Sequence, residues 1–318
     1  MRQAAGLRVR VAEVTDIDSL TRRFRLIGAD GGRLPAFSAG SHTVVTIDDR
    51  GTRRMNAYSL ASDPLDTTAY AICVRRDDTG RGGSLAMHRT VRPGHLLTLT
   101  MPVNLFPIHQ RARRHLMIAG GIGVTPFIAY LAQLARADAD FELHHVVRSA
   151  ALARNLLPAP HTERIHVYRS DLGERIDLPR RLAEQPIGTH LYVCGPEGMI
   201  TATLDAARDA GWPEGTLHHE RFQSSSIGEV FRVELHNSGR IVDVAENQSL
   251  LDALEAAGID VPWSCRGGAC GRCETAVIRA DGEILHRDHW LTPGQRAAGN
   301  TIMPCVSRFA GASLVIDR

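Results

Sequence analysis

The chain has 318 residues, 43 % of them hydrophobic, and a formal net charge of +2 from 37 Lys and Arg against 35 Asp and Glu. That length holds two or three domains with cores of their own, and the near-neutral charge carries no footprint of nucleic-acid or membrane-surface binding. No segment reaches the roughly 18 apolar residues of a membrane span, and the start, MRQAAGLRVRVAEV, lacks a signal-peptide core, so a cytoplasmic protein is expected.

Residues 1–110 carry short runs rich in β-branched residues: RVRVAEV, HTVVTI, AYAICVRR and HLLTLTM. Turn signals such as DDRG and RPGH separate them, and SLAMHRTV has the composition of a short helix. Many short strands with regular turns predict a small antiparallel barrel or sandwich.

Residues 111–222 change character. HLMIAGG is an apolar run ending in glycines, and FIAYLAQLARAD after it has helical spacing. FELHHVVR and HLYVCGP read as further strands, the second followed by the helical MITATLDAARDAG. Alternating strands and helices predict an α/β domain on a parallel sheet. In AGGIGVTPF, Gly120, Gly121 and Gly123 permit close backbone approach to a pyrophosphate. Val124 leads into the helix, with Thr125 as its N-cap and Pro126 as its first residue. In YVCGPEGM, Cys194 and Gly195 end a strand, and Pro196 and Glu197 start a helix. Either turn alone reads as well as a plain tight turn, and neither is the G-x-G-x-x-G fingerprint. Two of them at the carboxyl edge of one parallel sheet predict a dinucleotide site. Arg148 and Ser149 follow the second strand, where a 2′-phosphate or an adenine lies. The histidine doublets at 144–145 and 218–219 put neighbouring rings on opposite strand faces, which argues against one shared metal.

QSSSIGE, residues 223–229, is polar and serine-rich and reads as a linker. In residues 230–318, FRVELHNSGRIVDV predicts two strands joined by an Asn-Ser-Gly-Arg turn, and QSLLDALEAAG a helix stopped by Gly258. CRGGACGRC then places Cys265, Cys270 and Cys273 at C-x₄-C-x₂-C, with Cys305 following in IMPCVS. This is the plant-type [2Fe–2S] spacing. Gly267, Gly268 and Gly271 let the backbone fold around the sulfides and turn N–H groups toward them. A structural zinc site is the competing reading, although zinc more often uses C-x₂-C pairs. Arg266 and Arg272 read as exposed residues open to an acidic partner surface. Trp263 either covers the cluster or is ordinary core.

A cluster of this type takes one electron at a time, whereas a nicotinamide gives a hydride. A flavin converts between them, so the chemistry requires a flavin site. The barrel offers NAYSLASDP and GRGGSLAMH. Tyr58 is placed to flank a ring, and Ser59 and Ser84 to bond its edge, ribityl chain or phosphate. The Gly82–Gly83 turn precedes a helix N-terminus suited to phosphate. Apart from these neighbours, both stretches pass as ordinary turns.

Taken together, AYSLASDP, RGGSLAMH, GGIGVTPF, VCGPEGM, HHERF and CRGGACGRC with Cys305 make the chain resemble the phthalate dioxygenase reductase family over its whole length. Within it, NAYSL and LPAFSAGSH are most similar to the carnitine monooxygenase reductase subunits, with vanillate demethylase reductases more distant. The resemblance implies an antiparallel flavin-binding barrel, an α/β nucleotide domain and a C-terminal β-grasp ferredoxin domain. It implies FMN, NADH and a [2Fe–2S] cluster, and a reductase that serves a separate Rieske-type oxygenase; a monomer is expected when free. It maps flavin contacts onto Asn56, Ala57, Tyr58, Ser59, Cys73, Val74, Arg75, Gly82, Gly83, Ser84 and Glu220. Phe222 matches the aromatic residue against the flavin ring, and Gly121, Thr125, Cys194, Gly195 and Pro196 the nicotinamide side. Where many members carry Arg-x-Tyr-Ser, this chain has Asn56, which has no charge. Arg53, Arg54, Arg75, Arg76 and Arg81 are the candidates for the missing cation. A P450 or quinone acceptor, and a flavin/iron–sulfur redox sensor, are the alternative functions.

Overall fold

The computed structural model describes residues 6–80, 82–157, 162–222 and 228–318. The first sheet contains β1 (Leu7–Asp16), β2 (Thr21–Gly28), β3 (Ser41–Asp49), β4 (Thr52–Ser59) and β5 (Tyr70–Arg75). After α1 (Gly83–Thr90) come β6 (Leu96–Leu99) and β7 (Val103–Asn104). The strand order is β4-β3-β6-β1-β2-β5, with β7 on β3. A bridge between Leu60 and Ile72 ties the chain just after β4 to β5, so the sheet curls back on itself as the strand pattern predicts. Val9 and Val11 of β1 point inward while Arg8 and Arg10 face out, the period-two pattern of a half-buried strand. Phe24, Leu26, Val45, Tyr70 and Ile72 complete that core.

In this sheet β2, β4 and the two-residue β7 escape the sequence reading. β2, TRRFRLIG, carries three arginines, which mask its alternation. Their heads are bonded at the rim: Arg22 pairs with Asp16 at 2.7 Å, and Arg23 donates to the Asn155 and Leu156 carbonyls. Asn56–Ser59, turn-like in isolation, lie on β4.

The second sheet contains β8 (Arg114–Gly120), β9 (Phe141–Val147), β10 (Ile165–Arg169), β11 (Thr189–Cys194) and β12 (Leu217–Glu220). Its order is β10-β9-β8-β11-β12, and every pair is parallel. Its middle strands are buried from end to end, as parallel strands covered on both faces must be. On one face lie α2 (Thr125–Arg136) and α3 (Ala150–Leu156), through Phe127, Tyr130, Leu131, Leu134 and Leu156. On the other lie α4 (Leu178–Ala183) and α5 (Glu197–Asp209), through Leu182, Ile200 and Leu204. The first of these cores also takes in Ile17, Ala39, Ala61, Cys73 and Phe106, so barrel and parallel sheet share apolar packing.

The C-terminal region contains β13 (Phe231–Leu235), β14 (Ile241–Val244), α6 (Leu250–Ala256), β15 (Thr275–Leu285), α7 (Pro293–Ala298), β16 (Thr301–Ile302) and β17 (Arg308–Ile316). The sheet order is β14-β13-β17-β15-β16, with β13 and β17 parallel. This is the β-grasp arrangement predicted. α6 starts on a Ser249/Asp252 capping box and stops at Gly258, which has φ +76°. Arg308 is fully buried and donates to the carbonyls of Ala245, Gln248, Gly228 and Glu229. Hydrogen bonding of this region therefore begins at Gly228, inside the segment read as linker; residues 223–227 lie outside the described residues.

By contacts the chain divides into two compact units. One comprises the described parts of 1–53, 58–76 and 86–222, and the other those of 54–57, 77–85 and 223–318. Among the described residues no helix is long and apolar enough to cross a membrane.

Candidate functional site

Asn56, Ala57, Tyr58 and Ser59 are consecutive on β4, and Cys73, Val74 and Arg75 end β5. Ser59 is 6 % exposed, and its Oγ is buried with no hydrogen-bond partner among the described residues. A buried hydroxyl without a partner is costly, and a polar flavin edge would satisfy it. The Leu60 N–H donates to the Ser41 carbonyl, which sets the neighbouring His42 on β3. His42 is buried, both ring nitrogens lack a partner among the described residues, and burial holds its pKa down to about 4. Sequence reading missed it as a site residue; the signal was LPAFSAGSH, noted only as a resemblance.

Gly82 has φ +85° and precedes α1. A Cβ at Gly83 would stand 1.8 Å from Asn56 Oδ1, and one at Gly82 would stand 3.4 Å from the Arg54 guanidinium carbon. The glycine pair is thus a cradle that Asn56 and Arg54 close. The Ser84 Oγ accepts from the Asp77 N–H at 3.1 Å. Arg53 is exposed, and Arg81 lies outside the described residues.

The two turns of the parallel sheet meet at its carboxyl edge, because β8 and β11 are neighbours. A Cβ at Gly123 would stand 2.4 Å from the Cys194 carbonyl, and one at Gly120 would stand 2.6 Å from Pro196. These glycines let the turns pack on each other. Only Gly121, φ +54°, has open space beside it. Of the three, Gly121 has the room beside it for another group to approach. Its carbonyl accepts from His145 Nε2 at 2.8 Å; that nitrogen must carry the proton, and burial keeps the His145 pKa down at about 4. The doublet at 144–145 thus holds the turn through one of its members.

The helix start also differs from expectation. Residues 121–124 form a 3-10 turn that runs directly into α2. Val124 is the N-cap, Thr125 and Pro126 lie within the first turn, and the Thr125 Oγ1 donates back to the Ile122 carbonyl. Pro196 is likewise the N-cap of α5, with Glu197 first in the helix. Arg148 is exposed after β9, and Ser149 is the N-cap of α3 without a side-chain cap bond.

Cys194 and Glu220 end neighbouring parallel strands and face each other in register. Cys194 is fully buried, and burial and the Glu220 charge push its thiol well up. Glu220 Oε2 is out of solvent with no hydrogen-bond partner among the described residues, and burial pushes the carboxyl up to about 8. Two residues on, Phe222 is 39 % exposed. Arg221 between them pairs with Glu197 at 2.9 Å, so the Glu197 carboxylate fixes the segment bearing Phe222.

In the cluster loop Cys265, Cys273 and Cys305 are buried and Cys270 is partly exposed. The Sγ atoms of Cys273 and Cys305 lie 3.3 Å apart, and Cys265 hydrogen-bonds Cys270. Within each pair one thiol is drawn down by the bond from the other: Cys270 to about 5, and Cys273 below its usual value. The Gly267 N–H donates to Cys265 Sγ at 3.3 Å. Two pairs of thiols suit two irons. A tetrahedral zinc would instead need all its ligands around one point. Gly268 and Gly271 have φ +74° and +71°, and Gly271 lies against the half-exposed Trp290 ring. Arg266, read as exposed, is 8 % exposed.

Residues 101–217 match the family described as dimethylamine monooxygenase subunit DmmA-like, N-terminal domain. Residues 233–310, which include all four clustered cysteines, match the 2Fe-2S iron-sulfur cluster binding domain. The chain is 42 % identical over 318 residues to the heme-dependent oxidative N-demethylase beta subunit of Ectopseudomonas mendocina (strain ymp), covering 98 % of both chains. It is 40 % identical to the carnitine monooxygenase reductase subunit of Escherichia coli (strain K12), covering 97 % of each. Among solved structures it is similar to phthalate dioxygenase reductase, described as modular for electron transfer from pyridine nucleotides to [2Fe-2S]. The TM-score is 0.84 at 31 % identity, over 98 % of both chains.

Proposed function

Because the chain belongs to the phthalate dioxygenase reductase family, we propose that it passes electrons from NADH through FMN and its cluster to a separate Rieske-type oxygenase. It is an oxidoreductase, a reductase subunit of an oxygenase system, with electron transfer to a [2Fe–2S] cluster. FMN supplies the conversion of a hydride into single electrons. The residues of this chain bind, orient and exclude water. Tyr58, Ser59, Cys73, Val74 and Arg75 take the flavin ring side, and Gly82, Gly83, Ser84 and Asn56 the phosphate end. Arg54 supplies the cation that Asn56 lacks, since it faces the Gly82 turn. Gly121, Thr125, Gly195 and Pro196 receive NADH. Phe222 would hold the aromatic position against a bound flavin. Glu220, whose carboxyl burial pushes up to about 8, and Cys194 beside it would keep that end of the site without charge. Cys265, Cys270, Cys273 and Cys305 hold the cluster.

The observation that carries this is the pairing of the four thiols within a chain that also supports a nucleotide edge. We place the protein in the cytoplasm, where clustered cysteines stay reduced, and read it as a monomer. Anaerobic titration with NADH, followed by optical spectra and low-temperature EPR, tests the route. Flavin bleaching with a one-electron cluster signal is expected; bleaching without that signal removes the cluster from the reading. Deleting residues 228–318 should leave NADH-to-ferricyanide activity and abolish reduction of cytochrome c.

A heme-dependent N-demethylase is the second reading for the partner, favoured by the 42 % identity to a heme-dependent demethylase subunit. The heme-dependent reading points to N-methylated amines as the oxygenase's substrates. Purifying the complex and recording its spectrum separates the two readings, by a Soret band or by a Rieske EPR signal.

A further inference from the structure

Arg266 follows Cys265 directly and has φ +51°. A side chain with a Cβ is strained in that left-handed region. The same loop uses glycine where it needs positive φ, at Gly268 and Gly271. At position 266 it keeps an arginine. The side chain does not project to solvent, as its 8 % exposure shows. One arm of the guanidinium donates to Asp252 Oδ1 at 2.7 Å, and the other donates to Glu255. Its plane lies over the Trp263 ring, 4.1 Å from the centroid. Asp252 is itself the N3 residue of the α6 capping box. One strained cluster-loop residue is thus clamped to the first turns of α6 by two carboxylates and an aromatic face. Two charge-assisted bonds from one planar guanidinium fix geometry as well as energy.

From this geometry we infer that Arg266, with Asp252 and Glu255, is a positioning triad that sets the reduction potential of the cluster; the inference rests on the four cysteines holding [2Fe–2S]. The triad acts in two ways. It fixes the backbone that aims the Gly267 N–H at Cys265 Sγ. It also ties one cation and two anions to the residue that follows the first ligand. Cluster potentials respond to both hydrogen bonds and local net charge. Reduction adds negative charge, so a lost cation disfavours it and a lost anion favours it. Arg266 is therefore not a free docking charge for a partner.

The test is EPR-monitored redox titration of the full-length holoprotein and three variants, with iron and sulfide content measured on each. R266Q should lower the ratio of reduced to oxidised cluster at a fixed potential by about three- to tenfold, and E255Q should raise it by about the same factor. R266K, which keeps the charge, should bring the midpoint back toward the parent value while broadening the EPR signal, because the fork is lost. Opposite signs for R266Q and E255Q support the triad. Equal midpoints in fully loaded proteins, or shifts of the same sign, overturn it. If R266Q does not assemble a cluster, E255Q retains the guanidinium and its sign alone decides. A parent protein without iron and sulfide fails at the cluster reading itself, and the inference falls with it.

Discussion

Two glycine-rich loops, 119–127 and 265–273, look alike in the sequence and work differently. In the first, glycine makes room for another turn of the same sheet: the neighbours that a Cβ would meet at Gly120 and Gly123 are Pro196 and the Cys194 carbonyl. In the second, glycine supplies backbone angles, at Gly268 and Gly271, that wrap thiols around a small inorganic core. The nucleotide edge is thus a packing device with one open position, Gly121. The cluster loop is a conformational device whose one exception, Arg266, is clamped. Similar composition therefore does not mean similar tolerance to change.

The largest effect expected comes from removing a ligand. Cys305→Ala should abolish the cluster EPR signal and cytochrome c reduction, while NADH-to-ferricyanide activity stays near the parent level. Next is Gly123→Ala, where the obstacle is backbone that cannot swing aside. Overpacking of this kind costs about 1–3 kcal/mol, read by urea unfolding, and NADH should bind more weakly in fluorescence titration. Gly271→Ala meets the half-exposed Trp290 ring instead. Its steric part should be relieved by adding Trp290→Ala, leaving the left-handed strain of about 1–2 kcal/mol. If the second substitution restores nothing, the two loops do not differ as described.

A further effect is read as a pH slope. Glu220 ionises near pH 8 in the folded chain and near 4.5 unfolded. The unfolded state gives up its proton first, so the stability linked to Glu220 is complete below about pH 4.5 and is lost as pH rises through 8. Glu220→Gln should flatten the alkaline fall of Tm between pH 6 and 9. His145 has the opposite sign: its folded pKa of about 4 lies below the ordinary 6.5, so its contribution is present above 6.5 and lost on acidification.

The cysteine spacing was legible because cluster ligation is local: three ligands within nine residues leave few alternatives. The barrel was legible where strands alternate cleanly, as in β1, and hidden where arginines line a strand, as in β2. Helix caps were misplaced by one residue at Thr125 and Pro196, because a 3-10 turn and a proline cap leave no distinct sequence mark. Other features depend on residues far apart in the chain. Nothing in HHVV announces that His145 holds Gly121, and nothing in CRGG announces that Arg266 turns inward toward α6. Those contacts arise only once strand register and helix placement are fixed.

Arg308 has a practical consequence for anyone who wishes to transplant the iron–sulfur module onto another reductase. Its guanidinium, 1 % exposed, takes two of its carbonyl partners from Gly228 and Glu229. A graft begun at Val230, the first residue after the serine-rich tract, would bury that cation with half of those acceptors missing, and each hydrogen bond to a charged group is worth about 1.5–3 kcal/mol. The portable piece is 228–318: two residues that read as spacer are the module's own first stitches.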